Sequence, residues 1–359
     1  MEKLSHRQLC GIGIIIIISG ILVSGGGNRS MQDAWIAAGL SLILALPLYL
    51  LYARITALYP GKGLFDIIYI CFGKVVGGII TGILCLYTLQ IGSMSMRIFS
   101  EFNQVVSMPQ TSQVLMLIFF IVPCIYIMKK GIAVLGRVTN LVLPVIIFLI
   151  MIIYVMSLKD WNTENIMPIL AEADGRFISD AFTCLVYPFG EVFLISVLFA
   201  HKKYGKKGYG VYLWALVIGG GVFVLETLRA IMVLGTHTNS ILYYPSYTAA
   251  GVINIMDFFT RIEVIVSGSF FVAQILKVSL CLYVISLGLS KILNTDSGKV
   301  LIAPIAVFMT ALATIIFENT ISSYRFLSVY KFYAPFFQVL IPFLIWIVAE
   351  FKHRRFVSA

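Results

Sequence analysis

The sequence predicts an all-α protein that crosses a membrane about ten times. Three observations carry this. Hydrophobic residues make up 60 % of the chain and charged ones only 12 %, where a soluble globular chain carries about 25 % charge. The apolar residues fall into segments near the spanning length of about 20 residues. The lysines and arginines gather in alternate loops, the pattern of a chain whose cationic loops stay in the cytoplasm.

Ten segments follow from these rules. The first, about 7–24, has no small-residue cleavage site and reads as a retained span; Gly25-Gly26-Gly27 come next. The second is 34–58 with Pro47 inside, the third 75–100, the fourth 113–128, and the fifth 138–158 with Pro144 inside. A longer loop, 159–179, precedes the sixth segment at 180–201. The seventh is 210–234. The eighth, 255–293, is long enough for its first turns to lie at or above the interface. The ninth is 300–317 and the tenth 334–351. No hydrophilic stretch is long enough for a soluble domain, so the 359 residues read as one integral membrane domain, 1–359. It divides into two halves of five spans, about 7–158 and 180–351.

Orientation follows from the cations. Lys3, Arg7, Lys129, Lys130, Lys202, Lys203, Lys206, Lys207, Lys352 and Arg354 belong to one set of loops and termini, while Asp160, Glu164, Glu172, Asp174 and Glu318 lie in the opposite set. Both termini are therefore expected in the cytoplasm. The net charge of +10 is thus a topology signal, with lipid head groups as the partner of the basic Lys202 to Lys207 turn and no nucleic acid implied.

The sixth segment organises the rest. It reads DAFTCLVYPFGEVFLISVLFAH, with Pro188, Gly190 and Glu191 at its centre. Proline removes a backbone donor and glycine relaxes the backbone. A charge at the bilayer midplane costs about 3 kcal/mol on insertion scales, so Glu191 should not face lipid. Two half-helices with an irregular joint lining a cavity fit this pattern; a proline kink with a paired or protonated Glu191 is the alternative. A matching irregularity around Ser19-Gly20 and again at Gly25-Gly26-Gly27 opens the first half. Interrupted segments at corresponding places in two halves mark a transporter-type site between inverted repeats.

Other groups are weaker pointers. Asp257 and Arg261, four residues apart, can pair at the start of span eight, whereas Arg261 and Glu263 do not face each other. Their two readings are an interfacial salt bridge and an outer gate or subunit contact. Glu226 and Arg229 can pair on one helix face. Lys277 reads as snorkelling or facing a cytoplasmic vestibule, with a stand-in for a bound cation as the alternative. Ser267-Gly268-Ser269 fits small-residue helix packing better than a sodium site. Gln90 and Gln274 either line the cavity or bond across helices. No catalytic constellation, cofactor motif or metal-ligand spacing occurs. The six cysteines form no CxxC pair and read as small core residues.

Several stretches, taken together in order, resemble the spore germination permeases, the B subunits of GerA-type nutrient germinant receptors. They are RQLCGIGIIIIISGIL near the N-terminus, WIAAGLSLILALPLYLLYARITALYPGKGLFDIIYICFGKVVG across spans two and three, NIMPILAEADGRFISDAF before span six, FGEVFLISVLF within it, and FFTRIEVIVSGSFF opening span eight. The resemblance covers nearly the whole chain. It places the chain in the amino acid–polyamine–organocation transporter superfamily and implies a LeuT-like core of five plus five helices, with spans one and six unwound around a small ligand, often an amino acid. It also implies residence in the spore inner membrane and assembly with a membrane A subunit and a lipoprotein C subunit. The first-span break carries one glycine where related permeases often have G-x-G.

The resulting site expectation is a ligand pocket of Ser19, Gly20, Tyr187, Pro188, Gly190 and Glu191, with Arg261 and Glu263 as gate or subunit contact. Half-helix N-termini would present backbone N–H groups to a ligand carboxylate, and Glu191 would meet a ligand amine or carry a proton. The expected function is a non-enzymatic nutrient-sensing membrane subunit that triggers germination. A proton-coupled amino acid permease of growing cells and a scaffold subunit that binds no ligand remain as alternatives.

Overall fold

The structure, a computed structural model, describes residues 4–22, 28–170, 175–201, 207–253, 262–295 and 297–357. Among the described residues every regular element is helical. Within the described residues, nine segments are long and apolar enough to cross a membrane, and the shorter apolar helix His6–Ile21 joins them in the bundle.

That helix, α1 (His6–Ile21), starts at a capping box legible in the sequence as Ser5-x-x-Gln8. The Gln8 amide N–H donates to Ser5 Oγ at 3.2 Å, and the Ser5 N–H donates to Gln8 Oε1 at 2.8 Å. Its apolar residues run all round the helix, the pattern of a helix with no lipid or water face. Accordingly Ile14 to Ile18 are all 3 % exposed or less. Sixteen residues span only about 24 Å, short of the roughly 30 Å hydrocarbon core. The helix therefore ends inside the bundle. The irregularity expected around Ser19-Gly20 falls just after them: both sit in the last helical turn, and the helix stops at Ile21. Gly25-Gly26-Gly27 lie outside the described residues.

The remaining helices are α2 (Ala34–Leu58), α3 (Leu64–Val106), α4 (Gln113–Lys130), α5 (Ile132–Ser157), α6 (Gly175–Val186), α7 (Lys207–Leu234), α8 (Thr236–Ile241), α9 (Pro245–Gly251), α10 (Glu263–Ile292), α11 (Ile302–Ile315), α12 (Thr320–Pro335) and α13 (Ile341–Val357). Burial separates centre from periphery. The spanning windows of the sixth segment and of α10 are 78 % buried, against 28 % for the α5 and α11 windows. With α1, these two form the core around which the lipid-facing helices stand.

Three boundaries differ from expectation. Helix α3 runs from Leu64 to Val106 instead of 75–100, because two helices join through Gly73. There φ is +77°, a conformation only glycine adopts without strain. The tenth span begins at Thr320, well before 334. The stretch TISSYRFLSVYKFYAP is too polar to read as a span, yet it continues through a π-helical turn, Phe336–Leu340, into α13. Helix α10 begins at Glu263; the earlier turns expected from 255, with Asp257 and Arg261, lie outside the described residues.

Two buried ion pairs tie the surrounding helices to one another. Arg97 and Glu101, one turn apart on α3, pair at 2.7 Å. The Arg97 guanidinium also donates to Gln113 Oε1 at 2.8 Å and to the Thr314 carbonyl at 3.2 Å, while Ser323 Oγ donates to Glu101 Oε2 at 2.7 Å. One pair thus fastens α3 to α4, α11 and α12. Glu226 and Arg229 meet at 2.7 Å on α7, and Arg229 reaches the Ser246 carbonyl on α9 at 2.9 Å. Both pairs are hydrogen-bonded further, which offsets the cost of burying charge.

Candidate functional site

The sixth span is interrupted, as its Pro-Phe-Gly-Glu centre predicts. Helix α6 ends at Val186, Tyr187 and Pro188 form the joint, and Phe189–His201 continues as a 3-10 helix. Thirteen residues of 3-10 helix is unusual, since such runs rarely exceed three or four, and mid-helix 3-10 stretches often mark functional hinges. The Glu191 N–H bonds back to the Pro188 carbonyl at 3.2 Å.

A broken helix inside a membrane exposes backbone groups that water does not reach, so side chains must satisfy them. Here α2 and the tenth span supply them. Tyr49 donates to the Phe189 carbonyl at 3.1 Å. Tyr52 donates to the Gln338 carbonyl at 2.7 Å and lies 3.4 Å from the Gly190 carbonyl. Gln338 Nε2, from the π-helical turn, donates to the terminal carbonyl of α6 at Val186 at 3.1 Å. The same amide packs so closely on Gly190 that a Cβ there would collide with it. Replacing Tyr52 with phenylalanine should remove the buried hydrogen bond to the Gln338 carbonyl, a loss of about 0.5–1.5 kcal/mol. Thermal unfolding of the purified chain reads this as a shift of a few degrees, with no change in oligomeric state.

Glu191 is the centre of the site. One carboxylate oxygen, Oε2, lies 2.6 Å from Lys277 Nζ on α10, and both residues are 1 % exposed. Its other oxygen accepts from the Tyr330 hydroxyl at 3.3 Å. Behind Tyr330 the donors line up: Gln338 Nε2 donates to Tyr87 at 2.8 Å, and the Tyr87 and Tyr330 hydroxyls are 2.7 Å apart. A chain from Gln338 through Tyr87 and Tyr330 thus ends on the carboxylate. The Lys277 ammonium also faces the Tyr187 ring, 5.2 Å from its centroid, a cation–π distance. The snorkelling or vestibule reading of Lys277 does not hold, because the enclosed ammonium turns inward to Glu191.

Of the six expected pocket residues, five meet at this joint. A Cβ on Gly20 would lie 3.0 Å from Pro188 Cβ and 3.3 Å from the Tyr187 ring, so the end of α1 abuts the break in span six. Gly190 and Glu191 follow directly. Ser19 is close by, but its hydroxyl donates to the Ile16 carbonyl at 2.8 Å, within its own helix. What Ser19 contributes is its carbonyl, which accepts from Gln274 Nε2 of α10 at 2.9 Å. The geometry also changes the expected polarity. The carbonyl ends of α1 and α6 converge on the joint together with the N-terminal end of the 3-10 helix, so negative helix ends outnumber the positive one among the described residues.

Glu263 is not part of this constellation. It opens α10 fourteen positions before Lys277, about 21 Å along the helix, beside Gly251 of α9. Its expected partner in the gate, Arg261, lies outside the described residues. Ser267 Oγ donates to the Glu263 carbonyl at 3.2 Å and is spent within its helix. Gln90 donates to Tyr333; both buried amides singled out in the sequence therefore bond across helices.

The site is closed by aromatic side chains. Tyr187 and Tyr330 meet edge to face at 6.3 Å, Tyr330 and Tyr333 at 5.4 Å, and Tyr87 stacks on Phe337 at 4.3 Å. Two cavities lie elsewhere, one of about 470 Å³ lined by Phe99, Asn103 and Phe271 among others, and one of about 460 Å³ beside His6, Arg7 and Trp214. Neither touches the Glu191 centre. Tyr87, Tyr330 and Gln338 were not singled out in the sequence. A lone amide at 338 within an apolar run was the available signal.

Comparison with known proteins agrees with this architecture. The sequence profile described as spore germination protein matches residues 3–321. Spore germination protein KB of Bacillus subtilis (strain 168) is 26 % identical over 364 aligned positions, covering 99 % of this chain and 97 % of that protein. Among solved structures, MhsT in complex with L-phenylalanine superposes with a TM-score of 0.64 at 14 % identity, over 96 % of this chain and 89 % of that one. Mhp1, a nucleobase-cation-symport-1 family transporter with bromovinylhydantoin bound, gives 0.63 at 13 % identity, over 91 % and 75 %. At such identities these likenesses speak for the fold, the LeuT-like arrangement expected from the sequence. The chain belongs to the spore germination protein family, as an integral membrane protein on a transporter fold.

Proposed function

We propose that this chain is the ligand-sensing membrane subunit of a spore nutrient receptor. It binds a small nutrient, an amino acid by preference, at the joint of α1 and the sixth span and thereby triggers germination. One observation carries the reading: a buried carboxylate and ammonium, 2.6 Å apart, stand where the end of α1 meets the break in the sixth span. Intramembrane ionisable groups in such places mark substrate sites. The ligand's ammonium is recognised by Glu191 and its carboxylate by the N-terminal end of the 3-10 helix and by Lys277. The two five-span halves, about 7–158 and 180–351, move against each other around this point. Binding acts by favouring one of two conformations, which requires tighter contacts in that one. The subunit sits in the spore inner membrane with both termini in the cytoplasm and works with a membrane A subunit and a lipoprotein C subunit. Arg261 and Glu263 serve as gate or subunit contact.

The test uses spores in which this chain belongs to the sole nutrient receptor, together with the purified full chain. At least one amino acid should trigger germination and bind the purified protein. Glu191→Gln should weaken both by about tenfold or more, the equivalent of 1.4 kcal/mol, at a protein level that immunoblotting can match to wild type. An unchanged response in Glu191→Gln spores removes Glu191 from the ligand site. Ligand-driven uptake into proteoliposomes, with no germination phenotype, would make the chain a permease instead.

A further inference from the structure

We infer that Lys277 is the resident cation of this site, holding with its own side chain the place that a monovalent cation would otherwise take, so that the site works without sodium. The inference deepens the function proposed above by naming its ion dependence. Several independent features converge. The carbonyl ends of α1 and α6 meet at Gly20, Tyr187 and Pro188, which concentrates negative potential there. Glu191 adds a full negative charge. Gln274 and Lys277, three residues apart on α10, share a helix face. The Gln274 amide takes the Ser19 carbonyl, and its Oε1 is buried without a hydrogen-bond partner. Carbonyl, amide and carboxylate oxygens are the ligand set of a hard monovalent cation. Beside this set the structure places the Lys277 ammonium, completely enclosed, with Glu191 at 2.6 Å and the Tyr187 ring centroid at 5.2 Å as its contacts.

Charge balance explains why lysine suits the position. With the ammonium present, the carboxylate and the two helix ends are compensated by a group that is never lost to solvent. A dissociable cation would have to be acquired for the same balance, and the site would then respond to the salt outside. A tethered ammonium makes the site's stability and ligand response indifferent to it.

The experiment reads thermal unfolding of the detergent-solubilised full chain and its accumulation in membranes, neither of which needs a ligand. A failure to find any nutrient ligand therefore leaves it intact. Wild type should unfold at the same temperature in sodium chloride and in N-methylglucamine chloride. Lys277→Ala should unfold roughly 10 °C lower and accumulate poorly, because it leaves a buried carboxylate unpaired. Ethylammonium, which fits the vacated space and charge, should recover a large part of both losses. Choline, equally charged but too bulky, should not. In the double variant Glu191→Gln/Lys277→Ala the rescue by ethylammonium should vanish, since no negative charge remains to attract it. A sodium-dependent shift in wild type overturns the inference. So does Lys277→Ala that no small monovalent cation rescues in either measurement.

Discussion

Glu191→Ala should cost about 3–5 kcal/mol of stability, the penalty for stripping one partner from a buried pair, and should appear as a sharp fall in membrane-inserted protein. The reason is location. Lys277 is 1 % exposed, and its ammonium has Glu191 as its counter-charge at 2.6 Å, with the Tyr187 ring as a further, weaker partner. Without the carboxylate the ammonium must either stay charged in a dry interior or drag water in. Replacing both partners at once removes that dilemma. Glu191→Gln combined with Lys277→Met should regain most of the lost stability, since swapping a buried pair for packed neutral groups is often neutral. The double variant should nevertheless fail to respond to nutrient. Fluorescence-detected size exclusion separates the two effects: it scores folded protein for single and double variants alike, while germination scores function. If Glu191→Ala accumulates and unfolds like wild type, the pair is not the buried unit described above.

The contrast between Glu191 and Lys277 shows what was legible in the sequence. Glu191 announced itself because it sits in an apolar stretch beside Pro188 and Gly190, so cost and broken backbone pointed to one place. Lys277 had no such neighbours. A long flexible side chain has two affordable solutions in a membrane, turning to the interface or to a partner, and only the three-dimensional meeting of α10 with span six decides between them. Tyr330 and Gln338 were hidden for a different reason. Helix α12 is polar enough to read as a loop because Ser323, Tyr330 and Lys331 are spent on partners inside the protein while Val329 and Phe332 stay exposed, and a hydropathy average does not separate the two faces. The end of α1 was placed within two residues by its lone glycine, but which group of Ser19 makes a contact was not legible. The hydroxyl is consumed inside the helix and the carbonyl makes the contact, a distinction that residue type does not carry.

Gly190 offers the second large effect. Its backbone is not in the left-handed region, so the requirement for glycine there is one of space. A Cβ would meet the Gln338 amide, and that amide holds Val186, Tyr87 and, through them, Tyr330 and Glu191. Gly190→Val should therefore push the tenth span off the joint. Overpacking costs about 1–3 kcal/mol and the hydrogen bonds lost with it about as much again. A backbone explanation and a space explanation make different forecasts for the double variant. If space is the constraint, Gln338→Ala opens room for the new side chain, and the two changes together should cost about 2 kcal/mol less than their sum, a coupling expected only of residues in contact. If backbone freedom is the constraint, the costs should add. Thermal unfolding of the two single variants and the double variant decides the point. Coupling would also identify the π-helical turn as the element through which the tenth span senses the state of the broken sixth, because nothing else on that span touches Gly190 so closely.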